Sequence, residues 1–155
     1  MGDKLERIQA PALRDRVVTA EAAASWIKDG MTLGLSGFTR AGDAKAVPTA
    51  LVKRAEKGEK LKVNVYTGAS LGSNIDKMFA EAGIVHKRVP FQAEPAMRKK
   101  INAGEHLFVD QHLSHTSELL RAGAIDTIDY AILEAISITE DGMLIPTTSV
   151  GNSLA

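Results

Sequence analysis

The stretch Ser36-Gly37-Phe38-Thr39-Arg40-Ala41-Gly42 sets two glycines among small and hydroxyl residues. That is the composition of a loop that turns tightly and offers backbone N–H groups to a ligand oxygen. Its spacing fits neither the dinucleotide fingerprint nor a P-loop, which needs Gly-Lys-Ser/Thr, and a plain strand-to-helix connection accounts for it equally well. His112 and His115 stand three apart with Asp110 nearby, a spacing that could hold a metal on a helix. The pair straddles Ser114, a natural helix cap, and no third ligand is suitably spaced, so capping is the expected role and no metal site is assigned. Arg98-Lys99-Lys100 could meet phosphates, although a solvated helix face is the commoner meaning of such a run. Glu134 interrupts the apolar Ala131-Ile132-Leu133 and Ala135-Ile136. Buried there, it needs a partner or an altered pKa; at an exposed strand tip it is merely solvated, and both readings stay open. No serine has a histidine placed to activate it, and the absence of cysteine removes thiolate nucleophiles, thiolate metal sites and disulfides.

The elements that must position these residues follow a repeating plan. Thr19 caps a helix through Trp26 and Ile27, with Gly30 past its end and Trp26 expected as a core anchor. Met31-Thr32-Leu33-Gly34-Leu35 reads as a buried strand entering the first glycine loop, and a helix over about 47–57 leaves it. Lys62-Val63-Asn64-Val65-Tyr66 is a second strand entering a second loop, Thr67-Gly68-Ala69-Ser70-Leu71-Gly72-Ser73, and a helix through Ile75 and Phe79 ends at Gly83. Residues 84–89 and His106-Leu107-Phe108-Val109 read as further strands, separated by a Pro90–Pro95 loop and a short helix at 96–103. Ser114 is expected to cap a helix over about 115–122. One long strand is expected from Asp129 to Ile138, with a two-residue hairpin turn at Asp141-Gly142 and a return through Met143-Leu144-Ile145. Repeated strand–loop–helix units predict an open, mostly parallel α/β sheet with flanking helices.

The 155 residues suit one domain with a real core, taken as an N-terminal arm at 1–18 and a body at 19–155. Nineteen basic residues balance nineteen acidic ones, so no field favours nucleic acid or an anionic membrane. The charged N-terminus lacks the apolar core of a signal peptide, and no apolar run is long enough to span a bilayer, so a cytoplasmic protein is expected. A third small-residue loop, Ser149 to Ser153, is followed by only two residues, which reads as the approach to a further element.

In order, Ser36-Gly37-Phe38-Thr39, Ala41-Gly42, Lys45, Val47-Pro48, Thr67-Gly68-Ala69-Ser70, Arg88-Val89-Pro90-Phe91 and 97–104 resemble the N-terminal region of the acetyl-CoA hydrolase/transferase family. Asp110–Ser114, Glu134-Ala135, 138–142 and Pro146–Ser153 continue the resemblance, which covers the chain from about Leu13 onward. It implies a CoA-transferase (NagB/RpiA-like) fold built as two similar domains in a chain about three times this length. It also implies a ping-pong reaction in which a glutamate passes through an acyl anhydride and a glutamyl–CoA thioester. That glutamate, the main CoA-binding loop and the oxyanion donors belong to the second domain, so the nucleophile is expected beyond Ala155 and Glu134 is not promoted to that role.

What the resemblance leaves to this chain is a wall facing the active site: Ser36, Gly37, Phe38 and Thr39, then Gly68 and Ser70, then Gly151, Asn152 and Ser153. Ser70 matches a serine that resembles a carboxylate contact in the family. Ala93 stands where the family often has threonine, which points to a larger or more apolar acyl group, and Arg40 and Asp43 replace smaller or apolar residues. No cofactor is expected to be bound; a coenzyme A thioester and a small carboxylate are the expected ligands. A second CoA-transferase domain or subunit and a homo-oligomer are the expected partners. A hydrolase half, a non-catalytic assembly subunit and a sugar-phosphate isomerase or sensor on the same fold are the alternatives.

Overall fold

The computed structural model describes residues 5–155, so the first four residues of the expected arm lie outside it. The remainder of the arm carries a short helix, α1 (Pro11–Arg14), with proline at its first turn. Gln9 N donates to Ile138 O at 2.8 Å and Ile138 N to Arg7 O at 2.9 Å, tying the arm to the far end of the chain.

The body winds as expected from the repeating units: α2 (Ala20–Ser25), β1 (Thr32–Leu35), α3 (Ala46–Glu56), β2 (Val63–Thr67), a 3₁₀ turn (Gly72–Asn74), α4 (Asp76–Ala82) and β3 (Val85–Val89). Then come α5 (Pro95–Asn102), β4 (Leu107–Phe108), α6 (Leu113–Arg121), β5 (Tyr130–Ile132), β6 (Ala135–Ile138) and β7 (Leu144–Pro146). β1 to β5 form one sheet in the order β4-β3-β2-β1-β5, and every pairing in it is parallel. Leu33, Leu35, Val63, Val65 and Val85 share a core with Leu51 of α3, Phe79 of α4 and Met97 of α5. The alternate positions Gly34 and Tyr66 turn toward α6 instead, across a cavity of about 370 Å³. Helices therefore flank the sheet on both faces, as a parallel sheet requires.

Local signals set most boundaries. Thr19 Oγ1 accepts from Ala22 N at 3.1 Å to cap α2, and α4 stops at Gly83, whose φ is +65°. Several expectations are corrected. Trp26 is 49% exposed and not a core anchor; it is the C-cap of α2, one residue past Ser25. α6 begins at Leu113, so its cap is His112, whose Nδ1 accepts from Ser114 N; Ser114 lies inside the first turn. The expected long strand breaks at residues 133–134. Its first part pairs with β1, whereas β6 leaves the sheet to pair antiparallel with β7. The hairpin turn is three residues, 140–142, closed by Gly142 N donating to Thr139 O at 3.0 Å, with Gly142 at φ +87°.

Candidate functional site

β1 is the point where the winding reverses, with β2 on one side and β5 on the other. Open α/β sheets bind ligands outside the carboxyl ends of their strands, beside such a reversal. Here the loops after β1, after β2 and after β7 meet there. A Cβ on Gly68 would lie 2.6 Å from Gly151 Cα and 2.8 Å from Gly37 O; one on Gly151 would lie 2.6 Å from Gly37 O. The three glycines thus pack backbone to backbone, a contact that no side chain permits. Ser149 Oγ donates to Ala41 O, and Asn152 Nδ2 donates to Thr67 O at 3.2 Å, so each of the other loops is pinned to the third.

The glycine junction divides the predicted site residues between two cavities. Ser36, Asn152 and Ser153 line the 370 Å³ cavity under α6, with Thr67, Tyr66 and Asp126. Phe38, Thr39 and Ser70 line an open cleft of about 550 Å³ on the other side, facing Phe91, Ala93 and Glu94. Gly37 falls between Ser36 and Phe38, and Gly68 between Thr67 and Ala69, so each loop crosses from one cavity to the other at its glycine.

Ser36 is part of the scaffold. It is buried, its Oγ donates to Gly42 O at 2.7 Å and accepts from Glu134 N at 2.8 Å, joining the first loop to the break between β5 and β6. Ser70 is buried too, yet it borders the cleft; its Oγ lies 2.7 Å from Gln92 Oε1 and 3.1 Å from Asp76 Oδ2. Gln92 Oε1 also accepts from Glu94 N at 2.8 Å, which fixes the amide orientation and leaves the buried Nε2 without a partner among the described residues.

The residues that hold this geometry were not singled out from sequence. Arg88 and Asp76 form a fully buried ion pair, with Arg88 Nε 3.0 Å from Asp76 Oδ1. Asp76 accepts from Leu71 N at 2.6 Å, and Arg88 donates to Ala69 O at 3.1 Å, so the pair fastens both flanks of Ser70 to α4 and β3. The available signal was an arginine inside a short valine-flanked strand, which requires a buried anion.

A second network lies behind the first loop. Lys45 Nζ is 3.1 Å from both Asp43 Oδ1 and Glu134 Oε2, and Thr147 Oγ1 donates to Glu134 Oε1 at 2.7 Å. The Thr147 hydrogen bond, and after it Lys45, hold the Glu134 carboxyl below its ordinary range against the opposing effect of burial. The Glu134 contact, and after it Asp43, raise the Lys45 ammonium. Glu134 is therefore a partnered carboxylate, one-third exposed, and not an isolated buried acid. Across the sheet, burial foremost and then Asp126 push the Tyr66 phenol up to about 12; its hydroxyl donates to Asp126 Oδ2 at 3.1 Å, and Lys87 pairs with the same carboxylate.

The His112 and His115 rings sit 5.6 Å apart, and among the described residues no group of three His, Asp or Glu side chains is placed to hold a metal. Arg98 and Lys99 of the basic run border a shallow groove on α5 that shares Pro95 with the open cleft, and neither residue lines either cavity. Among the described residues no helix is long and apolar enough to cross a membrane.

This open parallel sheet with flanking helices is a fold shared with solved CoA-transferases. The fold aligns with an acyl-CoA transferase from Escherichia coli O157:H7 at a TM-score of 0.60, 18% identity, over 70% of this chain and 22% of that one. Glutaconate coenzyme A-transferase from Acidaminococcus fermentans gives a TM-score of 0.56 at 20% identity, over 69% of this chain and 35% of that one. The family described as acetyl-CoA hydrolase/transferase N-terminal domain matches residues 3–155. Succinyl-CoA:acetate CoA-transferase of Clostridium kluyveri is 45% identical over 149 residues, 96% of this chain and 28% of that protein. Propanoyl-CoA:succinate CoA transferase of E. coli K12 is 37% identical, over 88% of this chain and 28% of that protein. Acetyl-CoA hydrolase of Saccharomyces cerevisiae is 39% identical, over 93% and 29%. The chain belongs to the acetyl-CoA hydrolase/transferase family and corresponds to its N-terminal domain. It spans less than a third of the length of these curated relatives.

Proposed function

We propose that this chain is the carboxylate-facing wall of a CoA-transferase that moves CoA between an acyl-CoA of the acetyl, propionyl or succinyl class and a carboxylate acceptor. The nucleophilic glutamate of the ping-pong route lies outside these 155 residues, and this chain contributes no catalytic side chain. In this reading the glutamate takes the acyl group from the thioester, CoA thiolate then displaces the acyl group as a free carboxylate, and the acceptor carboxylate reverses the sequence. The departing and arriving carboxylates share the cleft bordered by Phe38, Thr39 and Ser70.

The observation that carries the reading is the buried Gln92 amide beside Ser70, whose Nε2 has no partner among the described residues. A buried unpaired donor costs about 1–3 kcal/mol, and Ser70, which borders the cleft and contacts the same amide, is the polar group of this network that a carboxylate in the cleft would meet. Glu134 is given no nucleophilic role, since Thr147 and Lys45 already hold both of its oxygens. The reading includes a cytoplasmic setting, a CoA thioester as substrate with no resident cofactor, and a homo-oligomer completed by a second domain.

The test measures CoA transfer from succinyl-CoA or propionyl-CoA to acetate, with this chain alone and with the remaining portion of the C. kluyveri relative supplied in trans. No turnover alone and turnover on mixing are expected, and Ser70→Ala then raises the acceptor KM by about tenfold. Turnover by the chain alone would overturn the placement of the nucleophile. The similar identity to yeast acetyl-CoA hydrolases favours a second reading, with water in place of the acceptor. Acetate released without acceptor, at a rate equal to transfer, would select it.

A further inference from the structure

The tip of the first glycine loop is a tight turn. Phe38 N donates to Ala41 O at 2.9 Å and Ala41 N to Phe38 O at 3.2 Å, which leaves Thr39 and Arg40 as its central residues. Thr39 has φ +61°, a conformation that glycine normally fills in such turns. Strain of this kind persists where the surrounding structure over-determines it, often at ligand clamps. The turn brings Arg40 to the cleft, with its Cγ and Nε lying 3.4 and 3.6 Å from where a Cβ on Gly72 would stand.

Among the described residues no carboxylate lies within ion-pair distance of the Arg40 guanidinium. The one acid in the cleft lining, Glu94, caps α5 by accepting from Met97 N at 2.9 Å. Around Arg40 the lining combines the hydroxyl residues Thr39 and Ser70 with apolar walls from Phe38 and Phe91, each 47% exposed, and from Ala69, Ala93 and Pro95. A single planar guanidinium beside apolar walls matches one carboxylate on a hydrocarbon chain. A diphosphate requires several donors.

We propose that Arg40 determines specificity by pairing with a second carboxylate at the far end of the acyl chain, so that the cleft prefers a short dicarboxylate to a monocarboxylate of equal length. This rests on the reading of the cleft as the acyl and acceptor site. The small side chain of Ala93, in the lining of the same cleft, leaves space for the longer chain.

The test is NMR titration of the chain with succinate against butyrate and with glutarate against valerate, and with CoA as a separate arm. About tenfold tighter binding of each dicarboxylate is expected, corresponding to one charge-assisted contact. Arg40→Gln should erase that preference and leave the monocarboxylates unchanged, whereas Arg40→Lys, keeping charge without the fork, should retain part of it. A preference that survives in Arg40→Gln overturns the proposal, as does equal weakening of both classes. Weakened CoA binding with unchanged succinate binding also overturns it and assigns the guanidinium to a CoA phosphate. If mono- and dicarboxylates bind the wild-type chain equally, the specificity role alone fails. If none of the four acids binds, the cleft reading fails with it.

Discussion

Two side-chain networks support the loops of the site, and they act by different physics. Arg88 and Asp76 are both fully buried, so either charge left alone is costly. Arg88→Met should destabilise the fold by about 3–5 kcal/mol in urea denaturation, through the stranded Asp76 carboxylate. Adding Asp76→Leu should recover much of that loss; a double variant no better than the single would show that hydrogen bonds to Ala69 and Val89, not charge, dominate. Glu134 works at the surface. Its folded-state carboxyl is depressed, so its contribution is present above the unfolded carboxylate pKa and is lost as pH falls through the folded value. Thr147→Val and Lys45→Met should each raise the Glu134 pKa in an NMR carboxyl titration, because the threonine hydrogen bond foremost and then the lysine hold the carboxyl down.

The glycine junction belongs to the scale of elements, where three loops from distant parts of the sequence must touch. Gly68→Ala drives a methyl group against the backbones of Gly151 and Gly37 and should cost about 1–3 kcal/mol. Gly83→Ala offers the contrast. It has φ +65° with nothing within 4 Å of the new Cβ, so its cost of about 1 kcal/mol is local backbone strain. Hydrogen exchange separates them: Gly68→Ala should lose amide protection in the first and third loops together, and Gly83→Ala should leave both intact. Equal protection in the two variants would mean that the loops hold their positions independently.

At the scale of the whole molecule, the β6–β7 hairpin leaves a two-stranded sheet with Ile136 at 52% and Met143 at 60% exposure, beside the exposed Leu144 and Ile145. β5 has no partner on its outer side among the described residues. Apolar surface of this kind drives association. Sedimentation velocity of the chain should show concentration-dependent assembly, and Ile136→Lys with Met143→Glu should shift it toward monomer. Monomer at all concentrations in the unaltered chain would remove the hairpin as a contact surface.

The sequence by itself determined the strand–loop–helix order, the parallel sheet and the family, because these rest on short-range signals: apolar periodicity, Thr19 and Gly83 at helix ends, and motifs in a fixed order. It also marked the three glycine loops. Only the tertiary structure decided how they are used. It divided Ser36, Asn152 and Ser153 from Phe38, Thr39 and Ser70, turned Trp26 outward, and broke the expected 129–138 strand between two sheets. The Arg88–Asp76 pair spans a turn and a helix, and the Lys45–Glu134 pair joins residues 89 apart in the chain. Such partnerships depend on which strands become neighbours and which face each presents. No local pattern encodes that; the packing of the sheet does.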